Sequence, residues 1–253
     1  MLSKLIGVGN KIELTKVGQP SRDELGPNGE NIKKVYVSQV YDIIDDDRIK
    51  MAIPIDNGKV VLYPNNTRID VCFYTNKGLY QGRFVIVDRY KEGNLMVQII
   101  ELTNELQKYQ RRQYYRLSCT MGIMYKTIPE EELKEYYNKK DLMEDLDLAS
   151  LNNAVALDIS GGGMRFVSKI DNRKDNVVLL LISFNYGENY KKYAVLAKVI
   201  NVAPTKNNRS MFEHRVEYSN LNSSVREDII RFIFEEERRR RKKENGEWGK
   251  KTF

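Results

Sequence analysis

At 253 residues the chain is longer than a usual single domain and predicts two, of roughly 100 to 150 residues each. A composition of 41% hydrophobic and 30% charged residues excludes wholesale disorder, and the longest apolar run, Val177 to Ile182, is far short of the roughly 20 residues a membrane-spanning helix needs. The net charge of +7 favours an anionic partner, whether nucleotide, nucleic acid or membrane surface.

In chain order, Met1 to Gly9 lacks the apolar core of a signal peptide, so a cytoplasmic location is expected. From Lys11 to about Leu102 the sequence reads as short strands, among them Lys34 to Ile43, Arg48 to Ile53, Arg68 to Thr75, Leu79 to Asp88 and Leu95 to Leu102. They are rich in Val, Ile, Tyr and Phe, and the breaks hold turn formers such as Asp45, Asp46, Asp47, Asn57, Gly58, Asn76 and Gly78. That spacing predicts a small barrel or sandwich. The segment Gly18 to Asn31, with two prolines and three glycines, predicts a loop. Cys72 and Cys119 are too few for a disulfide framework and have no companions for a metal site, so both read as buried thiols.

The polar stretch Thr103 to Arg112 reads as an interdomain connection. Strand-like sequence resumes at Tyr114 to Lys126, and Pro129 to Lys140 reads as an inserted helix, with proline at its start, glutamates in its first turn and lysines at its end. Strands follow at Ala154 to Asp158, Gly163 to Val167, Val177 to Phe184, Tyr190 to Val202 and Phe212 to Tyr218, which predicts a second barrel. The single histidine, His214, falls in one of them and reads as structural, since no placed nucleophile or acid accompanies it. A terminal helix is predicted from Ser224, with Glu227 at capping-box spacing. Val225, Ile229, Phe232 and Ile233 would bury one face, and Glu235 and Glu236 could pair with Arg239 and Arg240. The basic run Arg238 to Lys243 has two readings, a solvated helix end or a partner-binding or membrane-facing tail.

Two segments carry chemistry. Gln110-Arg111-Arg112-Gln113-Tyr114-Tyr115-Arg116 sets three arginines just before a strand, and Leu157-Asp158-Ile159-Ser160-Gly161-Gly162-Gly163-Met164 runs a strand into an Asp-x-Ser and a triple glycine. Guanidinium forks bond phosphate or the O6 and N7 edge of guanine, and they stack on purines. Asp158 can accept from guanine N1 and N2, Ser160 adds a donor and acceptor, and Gly161, Gly162 and Gly163 would let backbone approach a ligand or adopt positive φ.

The order and spacing resemble the PilZ domain family, whose motif is Arg-x-x-x-Arg followed by Asp/Asn-x-Ser-x-x-Gly; Arg112 and Arg116 match the first part, and Asp158, Ser160 and Gly163 the second. The resemblance implies a six-stranded barrel that binds cyclic di-GMP, with arginines on phosphates and bases and the turn residues on a guanine. Arg111 matches an extra arginine that many members carry before the motif, which implies two ligand molecules per chain. The first half, including Ser38-Gln39-Val40, is similar to the amino-terminal split barrel of YcgR-type flagellar brakes. The interval from Arg116 to Asp158 departs from the family by a long segment, Ile128 to Asn153.

The expectation is therefore a mostly β protein of two small barrels with a C-terminal helix: a split barrel over 1–105, an arginine-bearing linker over 106–113 and a PilZ barrel over 114–253. It would be a receptor without catalytic residue, metal or cofactor, whose partners are cyclic di-GMP and flagellar motor or stator proteins. It would be recruited to the flagellar basal body, meet a membrane only through a partner, and not take nucleic acid as its main ligand. Two other readings stay open, a cyclic di-GMP effector of exopolysaccharide synthesis and a nucleic-acid binder using the basic tail. A third, a flavin-binding oxidoreductase built on the first barrel, has no matching residue set.

Overall fold

The computed structural model describes residues 2–18, 34–93, 95–144, 146–186 and 189–248. The predicted loop Gly18 to Asn31 lies, from residue 19 onward, outside the described residues. The chain divides into two compact units, residues 1–111 and 112–253, each with its own apolar core.

The first unit contains β1 (Lys11–Lys16), β2 (Val35–Ile43), β3 (Arg48–Ala52), β4 (Ile55–Asp56), β5 (Lys59–Val60), β6 (Arg68–Thr75), β7 (Gly78–Glu92), β8 (Leu95–Leu102) and β9 (Gln107–Lys108). The sheet order is β6-β1-β2-β3-β8-β7-β9, and β6 also pairs with β7, so the ladder returns on itself through six strands. Strict alternation explains why one face turns inward. Ile12 and Leu14, Ile49 and Met51, Ile69, Val71 and Phe73, and Phe84 and Ile86 are all fully buried. The hairpin of β4 and β5 turns through Asn57 and Gly58, both at positive φ, which is the type I′ chemistry an Asn-Gly pair supplies. The predicted connection Thr103 to Arg112 is not wholly irregular. β7 is 15 residues long and β8 only eight, and Gln107 and Lys108 pair with β7 at Gln81 and Tyr80 beyond the end of β8.

The second unit is a closed barrel of β10 (Arg116–Ile128), β11 (Asn152–Ser160), β12 (Gly163–Ser168), β13 (Val177–Tyr186), β14 (Asn189–Pro204) and β15 (Phe212–Tyr218), in the order β10-β11-β12-β15-β14-β13. The apolar run in β13 is buried on both faces. Val178, Leu180, Ile182 and Phe184 point into the barrel, while Val177 and Leu179 join Ile128 and Leu196 on the outer wall. The inserted segment covers that wall through Leu133, Tyr136, Leu142 and Leu146. Without it, the four outer side chains would face water at roughly 1.5–3 kcal/mol each. The segment is less helical than predicted: a 3-10 turn over Glu130–Glu132 leads into α1 (Leu133–Asn138), only six residues long.

The terminal helix α2 (Ser223–Trp248) places Ile229, Phe232 and Ile233 in the barrel core, with Phe232 stacked on Phe184 at 4.6 Å. Its cap is Asn222, not the expected Ser224. The Asn222 side-chain oxygen accepts from the Ser224 backbone N–H and hydroxyl, both at 2.9 Å, which makes Ser224 a first-turn residue. On its charged face Glu236 pairs with Arg239, and Glu237 with Arg241 at 3.2 Å. Cys72 is buried as expected, whereas Cys119 is half-buried.

His214 is fully buried, stacks on Phe166 at 4.7 Å and accepts from the Asn172 backbone N–H at 3.3 Å through Nε2. Burial lowers its pKa below the ordinary value, against an opposing pull from Asp171. The unfolded chain therefore takes up this proton at a higher pH than the folded barrel, so stability falls as pH drops below about 6.5 toward the lower folded value. As the only histidine in the chain, it is the one side chain whose ordinary pKa lies in that window. Melting temperatures measured from pH 7.5 to 5.5 should fall more steeply for wild type than for His214→Gln, which keeps an acceptor but does not titrate; parallel curves would refute this.

Candidate functional site

The barrel register sets Arg116, the last arginine of the first segment, beside the Asp-x-Ser segment. Arg116 pairs with Ser160, Ser160 with Gly163, and Gly163 with Glu217; in the parallel row Ser118 pairs with Asp158, Asp158 with Arg165, and Arg165 with Arg215. Between these rows runs Leu117, Ile159, Met164 and Val216, all buried in the core. Since side chains alternate across a sheet, both motif rows face outward.

Asp158 is held by a residue that does not stand out in the sequence. Arg165 Nε donates to Asp158 Oδ2 at 2.7 Å and Arg165 Nη1 to Glu213 at 3.3 Å, with the Asp158 side chain only 15% exposed. The signal was present, because a two-residue turn at Gly161-Gly162 pairs 160 with 163 and hence 158 with 165. Burial, followed by the Asp158 charge, pushes the Cys119 thiol up to about 11, so it is not an activated thiol.

Ser160 and the glycines have work within the turn itself. The Ser160 hydroxyl donates to Gly163 O at 2.9 Å and accepts from the Gly162 N–H at 3.4 Å. None of the three glycines has positive φ, which corrects one of the two roles expected for them. Their need is space. A Cβ on Gly163 would stand 2.1 Å from the Val216 carbonyl oxygen, and Cβ atoms on Gly161 and Gly162 would stand 2.7 and 3.0 Å from the ring of Tyr114. Tyr114 thus lies over the bare turn. Arg226 of α2 holds it there by donating to the Tyr114 hydroxyl at 2.8 Å, its guanidinium 5.6 Å from the ring centre. Sequence reasoning missed Tyr114, although it lies inside the arginine segment.

Arg112 and Arg116 are both exposed in the second unit, Arg116 as the first residue of β10. Arg111 ends the first unit, where Nη1 donates to Glu13 at 3.1 Å and the guanidinium lies 5.1 Å from the Tyr74 ring centre. Burial pushes the Glu13 carboxyl up, but hydrogen bonds from Tyr74 and Lys11 and the charges of Lys11 and Arg111 outweigh it, leaving the pKa below its ordinary value. Burial and the bond to Glu13 push the Tyr74 hydroxyl to about 12. Among the described residues no group of three or more His, Cys, Asp or Glu could hold a metal ion, and no helix is long and apolar enough to cross a membrane.

The closed barrel and its paired motif rows define the class, a PilZ domain, and the PilZ domain model matches residues 110–235. A second model, described as flagellar protein YcgR, matches residues 7–101, so the chain belongs to the PilZ proteins with a YcgR-type amino-terminal domain. The structure of the Bacillus subtilis inhibitor of motility MotI/DgrA is 18% identical with a TM-score of 0.69, over 93% of this chain and 100% of that one. YcgR in complex with c-di-GMP from Escherichia coli is 14% identical with a TM-score of 0.47, over 97% of this chain and 91% of that one. None of the curated proteins matches the chain.

The glycine geometry ranks two substitutions. Gly163→Ala sets a methyl group against backbone and should cost the second unit about 3 kcal/mol or more, while Gly162→Ala meets only a ring edge and should cost less. Denaturant titration of the two variants checks the order, and equal losses would contradict it.

Proposed function

We propose that the chain is a receptor for cyclic di-GMP that regulates motility through a protein partner and carries out no chemistry of its own. The observation that supports it best is the cross-strand pairing of Arg116 with Ser160 and of Ser118 with Asp158, which puts an arginine and an aspartate two residues apart in register on the same face of the sheet. A guanine needs both: guanidinium forks for phosphate or the O6 and N7 edge, and a carboxylate for N1–H and the N2 amine. The Arg165 bond to Oδ2 holds the carboxylate in place before ligand arrives, which lowers the ordering cost of binding. The amino-terminal match to a flagellar protein and the shared fold with an inhibitor of motility favour a motor or stator protein over the exopolysaccharide machinery as the partner.

In the chain, arginines stand on both sides of the boundary at 111/112. A dinucleotide that neutralises them restricts the link between the units and shifts the protein toward the arrangement it binds more tightly. Calorimetric titration of the full chain with cyclic di-GMP tests the site. Arg112→Ala and Asp158→Ala should each lose tenfold or more in affinity, a change of about 1.4 kcal/mol. Undiminished binding in both variants would exclude the site.

Arg111 supplies a second test, because Glu13 competes with phosphate for its guanidinium. Wild type should take two ligands per chain and Arg111→Leu should move toward one, whereas Glu13→Gln should tighten binding several-fold. A ratio that Arg111→Leu leaves unchanged would remove Arg111 from the site.

A further inference from the structure

A second feature of the barrel unit is not used by the motif. Tyr115 sits between the two motif arginines and immediately precedes β10, and with Phe234, Glu237, Arg238 and Arg241 of α2 it lines an open cleft of about 350 Å³. The four helical residues share one face, as their spacings of three and four require. Tyr115 is 52% exposed and Phe234 58%, although α2 already supplies Ile229, Phe232 and Ile233 to the core. Both rings lie on the walls of the open cleft and outside the core cluster of the barrel. Arg241 Nε donates to Glu237 at 3.2 Å, and burial, followed by the Glu237 carboxylate, raises the pKa of the Tyr115 hydroxyl.

The mixture of charges narrows the ligand class. A site for phosphate alone would exclude a carboxylate, so a ligand drawn here must present donors as well as acceptors. Guanine does so: its faces stack on aromatic rings, its N1–H and N2 amine donate to a carboxylate, and its O6 and N7 accept from guanidinium. Adenine lacks the paired donors on that edge. The volume is at the lower end for small-molecule sites, suited to one base with its adjoining phosphate rather than to a whole cyclic dinucleotide.

We propose that this cleft is a guanine subsite, in which a base stacks on Tyr115 and Phe234, Glu237 accepts from its N1 and N2, and Arg238 and Arg241 take O6, N7 or the adjoining phosphate. The proposal rests on the receptor reading above and extends the ligand surface from the barrel wall onto α2. It also gives part of the basic run a ligand.

Calorimetry of the full chain with cyclic di-GMP, and with cyclic di-AMP as the base control, tests it. Phe234→Ala removes an exposed ring, so the melting temperature should hold, while affinity should fall by roughly 5- to 150-fold, as for loss of one base–aromatic stack. Glu237→Gln should narrow the preference for cyclic di-GMP over cyclic di-AMP. If wild type binds cyclic di-GMP and both variants match it in affinity, stoichiometry and preference, the subsite is wrong and the motif site stands. If wild type does not bind at all, the receptor reading fails and the subsite fails with it.

Discussion

The contact on which the two motif segments of the barrel unit depend is the ring of Tyr114 lying over the backbone of Gly161 and Gly162. A Cβ at Gly161 would stand 2.7 Å from the ring, too close for the ring to stay in place, and one at Gly162 would crowd it at 3.0 Å. The contact joins the arginine segment to the Asp-x-Ser turn, and Arg226 bonding the Tyr114 hydroxyl extends the same chain of contacts to α2. Ile230 of α2 borders the same space, since a Cβ added at Gly161 would stand 3.1 Å from it, so turn, arginine segment and helix share one small volume. A ligand that moved any one of them would have to move the others, because close-packed groups do not deform independently.

Electrostatics refine this picture. Asp158, Arg165, Glu213 and Arg215 form a connected set of ion pairs on the outer wall. Surface pairs of this kind contribute little to stability, so their main effect is to hold the Asp158 carboxylate in one orientation. Glu13 does the same for Arg111 within the first unit, with Tyr74 and Lys11 supporting the carboxylate. Both motif charges are therefore held by an ion-pair partner within their own unit.

The inserted segment has a structural reason for its length. β13 is apolar at every position from Val177 to Ile182, which makes an alternating, half-exposed strand impossible, and the outer half of that run needs a cover. Leu133, Tyr136, Leu142 and Leu146 provide it from a segment whose helix is only six residues long. Its order comes from docking on the wall more than from helix propensity, since an isolated helix of that length is not stable in water.

Much of this was legible in the chain. Periodicity located the strands, with the bounds of β6, β8 and β15 read directly, because alternation and turn formers are local properties. The Asp-x-Ser-Gly-Gly-Gly run and the arginines were legible as motif residues, and strand spacing already pointed to two barrels before the family resemblance specified six strands for the second. Two features were settled only by folding: Asn222 as the helix cap, and the ring of Tyr114 as the reason for the glycines. Each depends on which distant atoms meet. Composition and spacing determine what a residue can do, whereas register and packing across the closed sheet decide which of its possible partners lies within bonding distance.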